Sequence, residues 1–172
     1  MPRSRPLAFC WIALAGLLLT GHSPYVQWYA YRAKHLVVVT DGRPGALGLA
    51  QAVAAAVAAK WPESKAVAAE ARSTVEAIRL LASGQLQVAL VPSADALDAL
   101  QGRGKFAGDG TLPVRAIAAL GDDLLVVLEA YPRERARTLA GAIADSRLLA
   151  SKLAGRTPVI PFHPGALDPT GG

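Results

Sequence analysis

The stretch "TDGRPGALG" (Thr40 to Gly48) sets two loop glycines, Gly42 and Gly45, and Arg43 between a β-branched run and an alanine-rich helix-forming run. Backbone N–H groups in such a loop, backed by the dipole of the following helix, suit a carboxylate or a phosphate. No Gly-Lys-Ser/Thr follows and the glycines lack the dinucleotide-binding spacing, so a plain strand-to-helix turn fits as well. Arg43 either pairs with an anion there or stays solvated. Ser73 and Thr74 stand at a second helix start, where they act as caps or, with the free N–H groups around them, meet an anion. Pro92 and Ser93, with Asp95 close behind, open a third helix and carry the same two readings.

Other chemistry finds little to work with. There is no G-x-S-x-G elbow, His163 is flanked by two prolines, and no serine has a sequence partner that would make it a nucleophile. An enzyme acting on a phosphorylated substrate would need an acid or base near Gly45, and only Asp41 is local; the chain is therefore read as no enzyme. His22, His35 and His163 lie far apart and the single cysteine, Cys10, sits in an apolar run, so neither a metal, a cofactor nor an intramolecular disulfide is expected. The formal net charge is +5. Arg3 and Arg5 contribute two of those charges ahead of the apolar run and no dense basic block follows, which argues against nucleic-acid binding.

The elements that must hold these loops are readable in turn. "HLVVVT" (35–40) is a short buried strand and "ALGLAQAVAAAVAAKW" (46–61) a helix ended by Pro62. "KAVAAEARS" (65–73) is a weaker strand. In "STVEAIRLLASG", Ser73 and Glu76 form an S-x-x-E capping box, Val75, Ile78 and Leu81 face the core, and Gly84 stops the helix. "QVALVP" is a further strand and "SADALDALQGRG" a short helix capped near Ser93 or Asp95. "GRGKFAGDGTLP" reads as a mobile glycine-rich loop. "VRAIAAL" and "LLVVLEA" are two strands parted by the turn signal "GDD". "RERARTLAGAIADSRLLASKLAG" reads as one amphipathic helix, and the Pro/Gly-rich tail runs extended over a surface and frays.

Size permits one ordinary domain and an appendage, and a content of 52% hydrophobic and 18% charged residues excludes disorder. The appendage is the N-terminus. Its uncharged run from Leu7 to Gly21 has a signal peptide's length but lacks a small-x-small cleavage site. Uncut, the uncharged segment reaches Tyr31, long enough to span a bilayer. The favoured reading is a membrane anchor with the amino terminus inside; a cleaved signal is the other. The expected division is 1–34 as anchor and juxtamembrane segment, 35–155 as an α/β lobe and 156–172 as the extended tail. Alternating strands and helices predict a single open, mostly parallel sheet with helices on both faces.

Four segments taken in order, "WYAYRAKHLVVVTDGRPGALGLAQAVA", "STVEAIRLLASGQLQVALVPSADAL", "PVRAIAALGDDLLVVL" and "PFHPGALD", resemble the TAXI-type solute receptors of TRAP transporters, which are type 2 periplasmic binding proteins. The resemblance implies a lobe of that fold, held in the inner membrane with the domain in the periplasm, or secreted there if the N-terminus is cut. It further implies capture of a small organic anion, a carboxylate or an amino acid, for uptake or sensing alongside a membrane transporter subunit. Gly42, Arg43, Gly45, Ser73, Thr74, Pro92 and Ser93 would form this lobe's share of the ligand cleft. Pro92 replaces the family's usual glutamine, and Gly121-Asp122-Asp123 stand where it commonly has Tyr-Pro-Glu. The chain runs from the last strand through one helix to "HPGA", which leaves no room for a second lobe. The alternative from another class is a membrane-anchored interaction module, or a remnant that binds no ligand.

Overall fold

The computed structural model describes Tyr31, residues 35–153 and residues 157–167. The expected anchor therefore lies outside the described residues, except for Tyr31. Among the described residues no helix is long and apolar enough to cross a membrane. The chain divides after Lys34, and one compact unit begins at His35.

That unit is an α/β sandwich around one open five-stranded sheet. The order of elements is β1 (Val37–Thr40), α1 (Ala46–Lys60), β2 (Val67–Glu70), α2 (Thr74–Ala82), β3 (Val88–Pro92), α3 (Ser93–Gln101), β4 (Val114–Leu120), β5 (Asp123–Leu128), α4 (Arg133–Asp145) and α5 (Arg147–Leu153). Across the sheet the strands lie in the order β2-β1-β3-β5-β4. The mostly parallel sheet expected from the sequence is corrected to a mixed one: β1 pairs in parallel with β2 and β3, while β5 pairs antiparallel with β3 and β4. The "GDD" hairpin forms, and its second strand rather than its first docks on β3. This brings the start of β5 to the edge where β1, β2 and β3 end.

Each strand serves two cores, which is why the strands read as unbroken apolar runs. Val38, Leu90, Leu125 and Val127 face α1, α4 and α5, packing with Val53, Val57, Leu139, Ile143 and Leu149. Their neighbours Val37, Val39, Val91 and Val126 face α2 and α3, packing with Ile78, Leu81, Ala96 and Phe106.

Three local expectations change. The single helix after Pro132 is two, because Ser146 is extended between α4 and α5. The glycine-rich loop is a folded turn, with Phe106 fully buried and Lys105 and Asp109 paired to Asp95 and Arg79. Helix α3 is capped by Pro92, with Ser93 as its first residue.

The tail folds back on this same lobe. Ala116 donates its N–H to the Pro161 carbonyl at 3.0 Å and accepts from the His163 N–H at 2.8 Å, so residues 161–163 lie along β4. His163 is buried, its Nδ1 accepting from the Gly165 N–H at 3.1 Å. The ring proton therefore sits on Nε2, which faces the Glu129 carbonyl at 3.2 Å. This histidine is a structural staple.

Candidate functional site

Three parallel strands deliver their carboxyl ends to one edge of the sheet, where open α/β sheets hold ligands. The loop after β1 turns sharply into α1. Gly45, at φ 80°, caps that helix in a left-handed conformation that suits glycine, and no side chain assists it. Gly42 lies against the Glu70 side chain, where an added Cβ would come within 3.0 Å of Oε1.

Asp41 organises this corner. It is 4% exposed and accepts hydrogen bonds from Arg43 Nε at 2.8 and 2.9 Å and from the Thr74 hydroxyl. Burial by itself would raise its pKa, but the Thr74 hydroxyl and the Arg43 guanidinium outweigh it and hold the carboxyl below its ordinary value. Arg43 also reaches across to the start of β5, with Nη2 at 2.8 Å from Asp123 Oδ1. Burial would lower the arginine's pKa; the carboxylates of Asp41 and Asp123 outweigh it and raise it. The arginine thus ties the β1–α1 loop to the β4–β5 turn.

At the next strand end, Ser73 caps α2 by accepting from the Glu76 N–H at 3.1 Å. The reciprocal half of the box is displaced by one residue, since Glu76 accepts from the Arg72 N–H at 2.7 Å. The hydrogen bonds from Arg72 keep the Glu76 carboxyl below the usual range.

Gly42, Arg43, Ser73 and Thr74, drawn from two loops, come together in one open groove of about 620 Å³, which Arg72, Asp95 and Lys105 also line. The groove's cations already have carboxylate partners: Arg43 with Asp41 and Asp123, Arg72 with Glu76, and Lys105 with Asp95 at 3.1 Å. What the groove still offers an anion is the solvent-facing part of Arg43, 38% exposed, and the N-terminal turn of α2.

Gly45 stands back at the head of α1 and does not line the groove. Pro92 and Ser93 line a different depression of about 450 Å³, between the β4–β5 turn and Thr157, Pro158 and Val159. Ser93 spends both of its donors on the Asp122 carbonyl, the N–H at 3.0 Å and the hydroxyl at 2.8 Å. Its loop fastens the β4–β5 turn to α3.

Asp123 joins this corner without being singled out by the sequence. The signal was the acidic turn "GDD", which reads as a hairpin and gains its place beside Arg43 only once β5 inserts next to β3. Among the described residues no cluster of His, Cys, Asp and Glu could hold a metal ion. Compared with protein-family models and with curated proteins, the chain matches none.

Proposed function

We propose that residues 35–167 act as a solute-binding lobe of the TAXI receptor kind, tethered to the membrane on its extracytoplasmic side and capturing a small carboxylate or amino acid for uptake or sensing. The observation that carries this reading is the groove itself, where two loops at parallel strand ends bring Gly42, Arg43, Ser73 and Thr74 around the N-terminal turn of α2. A carboxylate there accepts from backbone N–H groups and faces a guanidinium that Asp41 holds in place. An open groove leaves one side of the ligand in water, so binding is weak by the standard of a closed cleft.

Thermal unfolding of the full chain with millimolar dicarboxylates and amino acids tests the reading. Free ligand at about 100 times its dissociation constant stabilises the fold by about 2.7 kcal/mol. A higher midpoint with one ligand, lost in Thr74→Val, is the expected result. No rise with any of them overturns anion capture and leaves the interaction module as the better reading.

A further inference from the structure

One ion pair differs from the rest, joining Arg43, which lines the groove, to Asp123, which stands outside it. Arg72–Glu76, Lys105–Asp95 and Arg43–Asp41 are all hydrogen-bonded. Between Arg43 and Asp123 the charges meet at 2.8 Å, yet Arg43 Nη2 and Asp123 Oδ1 are shielded from water without an aligned hydrogen bond. Buried polar atoms normally have such a bond, and a charge-assisted one is among the strongest available. The guanidinium is therefore fastened on its Nε side by Asp41 and held on its Nη2 side by a close but poorly aligned contact.

We propose that Asp123 is an internal competitor for Arg43, engaging from outside the groove the guanidinium that the carboxylate of a small organic anion in the groove would otherwise take. The inference rests on the reading that the groove captures such anions. When one enters, it accepts the aligned hydrogen bonds that Asp123 does not, and one ion pair is exchanged for another. Asp41 is the positioning residue: buried and bonded to both Arg43 and Thr74, it keeps the guanidinium in place during the exchange. The exchange also reaches beyond the groove. Asp123 follows Asp122, whose carbonyl holds Ser93, and Gly121, whose N–H reaches the Lys152 carbonyl at 3.4 Å. Release of Asp123 loosens the turn that joins the groove to the second depression.

Partly exposed ion pairs carry modest energy, so the competitor weakens carboxylate binding about two- to fivefold. The test is a titration of the full chain with acetate, against chloride at equal ionic strength. It is read from the Arg43 guanidinium nitrogen resonance, identified by its loss in Arg43→Lys. In Asp123→Asn and Asp123→Ala the acetate midpoint is expected to fall about two- to fivefold below that of the unaltered protein. A residue that merely braces the arginine would give the opposite sign, because its removal would weaken binding. An unchanged or higher midpoint in both variants, or no acetate response in any protein, overturns the proposal. If a dicarboxylate or amino acid still raises the unfolding midpoint while acetate binding is indifferent to Asp123, the competitor falls and anion capture stands.

Discussion

Two threonines at the same sheet edge give one substitution opposite signs. Thr74 Oγ1 donates to the buried Asp41 carboxylate, so Thr74→Val leaves a charged acceptor short of a partner. A hydrogen bond to a charged group is worth about 1.5–3 kcal/mol, and that loss is expected in urea unfolding at pH 7. Thr40 is fully buried and its hydroxyl has no partner among the described residues. Thr40→Val keeps the shape and removes the orphan, so a gain of about 1 kcal/mol is expected. The same corner sets part of the acid sensitivity. Asp41's folded pKa lies below its reference value of 3.8, so its contribution is complete above that value and is lost as pH falls through the folded pKa. Asp41→Asn should be less stable than the unaltered protein at pH 6. Its unfolding free energy should also change less between pH 5 and pH 2.5; equal slopes in the two proteins would sink this account.

At the level of elements, close approach decides what a glycine does. A Cβ on Gly165 would lie 2.3 Å from the Arg133 carbonyl oxygen and 2.9 Å from the Ala136 Cβ, where α4 begins. Backbone cannot swing aside, so Gly165→Ala should cost about 1–3 kcal/mol and speed hydrogen exchange at the His163 amide, which is bonded to Ala116. Gly48, exposed in α1, has open space around it, and Gly48→Ala should stabilise by up to about 1 kcal/mol. The sequence showed the elements better than their pairing. β1 was visible as a β-branched run and β3 as a short buried strand, and Ser73 and Gly84 punctuated α2 as read. An apolar run covered on both faces looks the same whichever way its neighbour runs, so nothing in "LLVVLEA" could say that it would insert beside β3. Ser146 did carry a signal, since a serine before "RLLASKL" is a helix-cap residue, but the periodic apolar pattern on either side masked it. The groove was legible as separate helix starts; its clamp was not, because Arg43 meets Asp123 only through the sheet order.

For the lobe as a whole, the decisive feature is that two cores share one sheet. Ile78 in α2 and Ile143 in α4 are both fully buried, yet they belong to different clusters on opposite faces. The strands between them contribute alternate residues to each cluster, so neither face can release its strands while the other keeps them. A shared sheet predicts one cooperative transition. Ile78→Val and Ile143→Val should each cost about 0.5–1.5 kcal/mol, and the double variant their sum to within about 0.5 kcal/mol, since the side chains belong to separate clusters on opposite faces of the sheet. Trp61 makes the test sharp, because among the described residues it packs against the α1–α4 core and not the other, under Arg135 at 5.6 Å. With Trp11 and Trp28 changed to Phe, its fluorescence reports that face alone. If the lobe unfolds as one body, Ile78→Val on the far face moves the Trp61 urea midpoint as much as it moves the far-UV circular dichroism. A Trp61 transition indifferent to Ile78 would mean that the faces unfold separately, and the sheet would then be two half-cores in contact rather than one cooperative unit.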